Sequence, residues 1–305
     1  MADLQVISTR AELAAARAKL AGTVALVPTM GALHGGHRAL IEAAKAGCDS
    51  VLVSIFVNPM QFDQAADLDR YPRPIGADLA LCEELGVDVV WKPSVETMYP
   101  QGPARVWVTA GALADHLEGP HRPGHFDGVL TVVTKLLSAV GPDRAYFGEK
   151  DYQQLTLVRQ LVIDLGLEVG IELVPTVREP DGLALSSRNV FLSSVERQRA
   201  LALIGALRAG RTAAEGGADA AGVVQAGWAE LDRSLGTGEG VDVEYLELCD
   251  PVLGPPPPDG PARLLIAARV GRTRLIDNIG LELLAAEGAA GPASDPAGTA
   301  AEPRR

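Results

Sequence analysis

Val24-Ala25-Leu26-Val27-Pro28-Thr29-Met30-Gly31-Ala32-Leu33-His34-Gly35-Gly36-His37 runs from an apolar tetrad into two histidines separated by two glycines, and Ala39-Leu40-Ile41-Glu42-Ala43-Ala44 continues with helical spacing. A strand turns into a helix here. Backbone N–H groups at a helix start lack intrahelical partners and attract phosphate. Glycines allow close backbone approach, and imidazoles add side-chain donors. The stretch reads as a nucleoside triphosphate site. Two other readings stand beside it: a metal pair on one helix face, which lacks a third ligand at a recognisable spacing, and surface histidines in a glycine-rich turn.

Similar strand–helix units follow. Ser50–Phe56 reads as a strand, Ala77–Leu85 as a helix stopped at Gly86, and Val87–Trp91 as a strand. Gly128–Val140 reads as a helix ended by Gly141-Pro142, Arg144–Phe147 as a strand, Tyr152–Leu165 as a helix and Glu168–Val174 as a strand. This alternation predicts an α/β fold, a Rossmann-like doubly wound parallel sheet with helices on both faces. Ligands of such sheets bind beyond the carboxyl ends of the strands. The polar motifs sit there, after Val27, Phe56, Phe147 and Val174.

From Ser193 the pattern changes. Ser193-x-x-Glu196 is a capping box opening a long helix to about Ala214, and a second helix spans Ala220–Leu235. Val243–Leu248, Arg263–Val270 and Thr273–Ile276 read as a small antiparallel sheet, the last two joined by a tight Gly271-Arg272 turn. Pro255–Pro258 is a stiff connector. The expected division is a nucleotide- and substrate-binding domain over residues 1–176, a smaller C-terminal α+β lid domain over 177–286, and a disordered Ala/Gly/Pro-rich tail over 287–305.

The chain has 305 residues, enough for about two domains. Its net charge of −12 argues against a broad nucleic-acid face. Cys48, Cys82 and Cys249 are odd in number and far apart, which excludes a disulfide framework and a C-x-x-C zinc site and fits a reducing cytoplasm. No apolar run reaches the ~18 residues of a membrane span, and no secretory signal pattern is seen at the N-terminus.

Four stretches carry candidate chemistry. Asn58 and Gln61, in Phe56-Val57-Asn58-Pro59-Met60-Gln61-Phe62, offer uncharged polar groups suited to hydroxyl or carboxylate recognition. Lys150, in Gly148-Glu149-Lys150-Asp151-Tyr152-Gln153-Gln154, is a compact charge suited to phosphate; Asp151 equally fits a helix N-cap. Ser186-Ser187-Arg188, in Leu185-Ser186-Ser187-Arg188-Asn189, fits a pyrophosphate clamp. His116, His121 and His125 read as loop structure. No nucleophile–base pair is evident, which favours catalysis by positioning and charge stabilisation. The helix dipole disfavours a cation at its start, so both histidines of the turn are expected neutral in the empty protein.

These motifs resemble those of the pantothenate synthetase family, ATP-dependent pantoate–β-alanine ligases, over residues 20 to 282. The resemblance implies condensation of pantoate with β-alanine through a pantoyl adenylate, with ATP and Mg2+, in a cytoplasmic homodimer. It implies an ATP site built from Met30-Gly31-Ala32-Leu33-His34-Gly35-Gly36-His37, Gly148-Glu149-Lys150-Asp151, Val177 and Leu185-Ser186-Ser187-Arg188. His37 would be the proton donor, and His34, Lys150 and Arg188 would share the catalysis. Gln61 and Gln154 would hold pantoate, Gln61 also approaching β-alanine, and Asn58 would support that pocket. Three departures from the family pattern occur. Gly35 replaces Glu, Leu185 replaces Met, and a lone Asp78 stands where more acids are usual, as a weak magnesium ligand acting through water. A nucleotidylyltransferase and a non-catalytic ATP sensor are the alternatives. Gln61 and Gln154, where a phosphate acceptor calls for cations, argue against the first; the intact His37, Lys150 and Arg188 argue against the second.

Overall fold

The computed structural model describes residues 4–62, 65–236 and 240–285. The tail expected over 287–305, and residue 286, lie outside them.

Six strands form one parallel sheet: β1 (Gln5–Ile7), β2 (Val24–Thr29), β3 (Ser50–Ile55), β4 (Val89–Trp91), β5 (Arg144–Gly148) and β6 (Gly170–Val174). Their order is β1-β4-β3-β2-β5-β6. The central strands are buried on both faces. Leu26 and Leu52 face one core with α1 (Arg10–Arg17), α7 (His125–Val140) and α8 (Tyr152–Asp164). Ala25, Val27, Val51 and Val53 face the other, with α2 (Gly35–Gly47) and α4 (Ile75–Glu84). Two-sided burial explains why these strands read as continuous apolar runs. The short helices α3 (Ala65–Arg70), α5 (Val95–Met98) and α6 (Glu118–His121) lie in the connections.

From β2 the chain steps outward to β3 and β4, then returns to place β5 on the other side of β2. The connections leaving β2 and β5 therefore diverge, and their carboxyl ends flank a crevice, the usual ligand position in a doubly wound sheet.

The second half is an antiparallel sheet, β7 (Val241–Cys249), β8 (Gly260–Val270) and β9 (Thr273–Leu283), with α9 (Ser194–Glu215) and α10 (Ala220–Leu235) on one face. The Ser193–Glu196 capping box opens α9, and the Gly271 turn joins β8 to β9. β8 alternates: Leu264, Ile266 and Ala268 meet α9 and α10, whereas Leu265 and Ala267 join the core of the first lobe. The two lobes thus share packed surface. At their junction Arg274 reaches Glu118 with both terminal nitrogens, and Tyr245 donates its hydroxyl to Glu118 at 2.7 Å.

The sequence reading missed β1, α1 and the short helices α3, α5 and α6. β1 is three residues long, and α1 is announced only by the Thr9–Glu12 capping box. β9 is longer than expected because Asp277 and Asn278 break its apolar pattern; both are buried against polar partners. Among the described residues no helix is long and apolar enough to cross a membrane. The cysteines are free, with Cys82 and Cys249 buried.

Candidate active site

The first wall is the turn after β2. Gly31 and Ala32 both have positive φ, +83° and +50°. A side chain at Gly31 would press on Asp78 and Ile55 at about 3 Å. Ala32 holds this conformation because Asp78 accepts its N–H at 3.0 Å and that of Leu33 at 2.7 Å. His34 then caps α2: its Nδ1 accepts the Gly36 N–H at 3.1 Å, and the Nδ1 of His37 accepts the His34 N–H at 3.2 Å. Each Nδ1 is an acceptor, so each neutral ring carries its proton on Nε2. The ring centroids lie 4.2 Å apart.

Burial first, then Lys150, pushes the His34 imidazolium below its ordinary range. Burial, and next His34, pushes His37 down to about 3. The histidines are neutral at pH 7, as the sequence implied, and desolvation is the first cause for both. The Gly36 amide is also occupied by His34 and is not a free anion donor.

The second wall is the turn after β5, a short 3₁₀ segment Glu149–Asp151 leading into α8. Lys150 Nζ stands 3.8 Å from an Asp151 oxygen. Asp151 stands at the N-cap position of α8, as the sequence suggested, but its side chain makes no capping bond. Burial pulls its carboxyl upward, but Lys150, Arg188 and Arg122 outweigh that and hold it below its ordinary value. Glu149 turns away: its carboxylate accepts from Arg263 at 2.7 Å.

The third wall comes from the crossing segment after β6. Leu185 N–H pairs with the Val177 carbonyl at 2.9 Å, and Ser186 Oγ accepts the Arg188 N–H at 3.2 Å. Tyr71 lines the cavity beside Ser187 and Arg188. A Cβ at Gly35 would lie 3.0 Å from Leu185 Cδ1, so two of the departures noted from sequence are neighbours. The branched Leu185 occupies space that Gly35 leaves.

The fourth wall is Gln61. Its carboxamide is fixed by Asn58, which donates to Gln61 Oε1 at 3.1 Å and to the Gly128 carbonyl at 3.0 Å. Tyr99 donates to Asn58 Oδ1 at 2.8 Å. Asn58 is 1% exposed and acts through Gln61 rather than on a ligand. His125, buried, bonds the Gln61 carbonyl at 2.9 Å through Nδ1 and meets Arg122 at 2.9 Å through Nε2. Arginine only donates, so Nε2 accepts and Nδ1 carries the proton.

These walls enclose one cavity of about 240 Å³ at the ends of β2 and β5. Met30, His34, Gly36, His37, Gln61, Gly148, Lys150, Asp151, Gln154, Val177 and Leu185 through Arg188 line it. Gly31, Ala32, Leu33, Gly35, Glu149 and Asn58 are not among its lining residues; the first four shape the turn. Asp78, the weak magnesium ligand of the resemblance, has both oxygens accepting loop amides, which makes it a structural clamp of this turn. Among the described residues no group of three His, Cys, Asp or Glu side chains could hold an ion, which leaves the histidine metal pair without a third ligand. Asp151 is the only carboxylate among the lining residues.

The sequence reading missed Thr29, Tyr71, Arg122, His125 and Thr176, which also line the cavity, and the apolar strip Val129, Val132, Val133 and Leu136. The strip was legible as the apolar face of α7. His116 and His121 lie off this cavity, His121 facing Glu244 at 3.5 Å.

A doubly wound sheet whose crevice gathers two neutral imidazoles, Lys150, Arg188 and paired carboxamides defines an α/β enzyme that handles phosphate beside a small polar substrate. The pantoate–β-alanine ligase family model matches residues 5–280. The chain is 57% identical to the pantothenate synthetase of Salinispora arenicola, over 92% of this chain and 98% of that one. It is 54% identical to that of Mycolicibacterium smegmatis, over 94% and 90%. The crystal structure of pantothenate synthetase from Thermus thermophilus superposes with a TM-score of 0.83 at 48% identity, covering 90% of this chain and 98% of that one. The Francisella tularensis ligase, crystallised with a β,γ-ATP ligand and β-alanine, gives 0.76 at 35% identity over 91% and 97%. The chain belongs to the pantoate–β-alanine ligase family, carbon–nitrogen ligases that make pantothenate.

Proposed function

We propose that this cleft condenses pantoate with β-alanine in two steps at one ATP. In the first, a pantoate carboxylate oxygen attacks the α-phosphorus; the bond to the β-phosphate oxygen breaks, and pyrophosphate leaves from a pantoyl adenylate. In the second, the β-alanine amine attacks the acyl carbon; the acyl–phosphate bond breaks, AMP leaves, and the amine proton passes to solvent. The convergence of Lys150 and Arg188 on the His34–His37 turn carries this reading. Negative charge accumulates there, and fixed donors stabilise it without reorganising.

In this reading the Nε2–H groups of His34 and His37 donate to ATP oxygens, His37 being the proton donor of the site. Lys150 and Arg188 stabilise the transferring charge, Ser186 and Ser187 bind phosphate, and Met30, Gly148, Val177 and Leu185 border the nucleoside. Gln61 and Gln154 hold the pantoate hydroxyl and carboxylate, and Val132, Val133 and Leu136 receive its geminal methyl groups. Mg2+ would accompany the ATP and neutralise phosphate charge, with Asp151, the carboxylate among the lining residues, as the side chain that would help hold it. The division into domains at 176/177, a homodimer and a cytoplasmic setting belong to the same reading, the last supported by three free cysteines.

Pyrophosphate–ATP exchange without β-alanine tests it. Exchange should appear only when pantoate is present. Exchange without pantoate, or none with it, overturns the two-step reading.

A further inference from the structure

The turn carrying Lys150 is held from the other lobe. Asn278 of β9 is 3% exposed, and its Nδ2 donates to two consecutive carbonyls, Glu149 at 3.0 Å and Lys150 at 2.9 Å. Its Oδ1 accepts from Arg263 at 2.9 Å, so the whole carboxamide is engaged. Arg263 also grips the Glu149 carboxylate, and its guanidinium lies 4.1 Å over the Tyr152 ring. Behind Asn278, Asp277 accepts the Asn278 N–H at 2.8 Å and pairs with Arg178 through both oxygens. The Glu149–Asp151 segment has no side-chain cap of its own.

We infer that Asn278 is a positioning residue for the adenylation step: it fixes the backbone of Glu149 and Lys150 so that the ammonium meets the transferring phosphoryl group. Only a primary amide offers two N–H donors from one atom beside an acceptor, which suits two adjacent carbonyls and a guanidinium. The grip also makes the position of Lys150 depend on the seating of the second lobe. A charge-stabilising donor displaced by about 1 Å loses up to ~10²-fold in rate. The inference rests on the role proposed for Lys150.

A double-mutant cycle tests it. Asn278→Ala should slow pantoate-dependent pyrophosphate–ATP exchange by about tenfold or more, with KM for ATP and pantoate nearly unchanged. In a Lys150→Ala background the same substitution should add nothing beyond about twofold, because the group it positions is gone. Equal losses in both backgrounds, or no loss in either, overturn the inference. Asn278→Asp keeps the size and the Arg263 contact but removes both donors, and should behave alike if Asn278→Ala does not fold. Hydrogen exchange of the 148–152 amides in the empty protein is the second readout. It should rise in either variant; unchanged protection overturns the inference even if wild-type exchange shows no pantoate requirement, an outcome that would sink the site reading instead.

Discussion

The turn from Thr29 to His37 and the turn from Gly148 to Asp151 face the same cavity but are held by different means. The first is held within its own lobe. Asp78 clamps its amides, His34 caps its helix, and His37 returns a bond to the His34 backbone. The second has no local cap and hangs on Asn278 and Arg263 of the antiparallel sheet. A site assembled this way has one wall formed as its own lobe folds and another completed only when the lobes meet.

Breaking the lobe contact should have the largest effect. Arg274→Met leaves Glu118 and Glu244 buried without their common cation, and should cost about 3–5 kcal/mol in urea unfolding. A loss under about 1 kcal/mol would mean that the lobes are held by apolar packing alone. Next is Lys150→Ala, which should lower the adenylation rate by roughly 10²–10³, or about 2.7–4 kcal/mol. An unchanged rate would remove the second turn from the chemistry. Asp78→Ala strands two amides, of which Leu33 and Ala32 are part-buried, and should destabilise by about 2 kcal/mol. If activity falls without loss of stability, Asp78 acts on the ligand and the first turn is not self-supporting.

The smallest effect concerns protons. His37 is pushed down to about 3 and His125 to about 4, both chiefly by burial. Their unfolded forms titrate near 6.5, so the unfolded chain binds more protons between those values and stability falls as pH drops from about 6.5 toward 4. His125→Gln should flatten that slope in denaturation at pH 7.5 and pH 5. NMR titration should find His37 uncharged at pH 5 in the empty protein, and a protonated ring there would undo the tautomer argument.

Why one turn was legible and the other only half so follows from the same contrast. The parallel sheet announced itself through continuous apolar strands, and the first turn through glycine and histidine spacing, because both are determined by neighbours in the chain. Lys150 and Arg188 were visible as residue types at strand ends. What holds Lys150 was not, since Asn278 is over a hundred residues away and looks like an interruption in a strand. Asp78 shows the same limit: its bonds to the Ala32 and Leu33 amides, more than forty residues away in sequence, leave no local trace. Arg122 lies between two helices, and His125, read from sequence as loop structure, is instead the first residue of α7; neither gave a periodic signal.

The cap on α2 has a final consequence for how substitutions there are interpreted. His34 fastens the helix through Nδ1 and also lines the cavity. Truncating it removes a structural fastening and, on the function proposed above, a phosphate donor together, so the defect cannot be credited to either alone. Replacement by asparagine, a residue that fastens helix starts well yet cannot reach as far, would divide the two contributions; an alanine scan would merge them and overstate the chemistry.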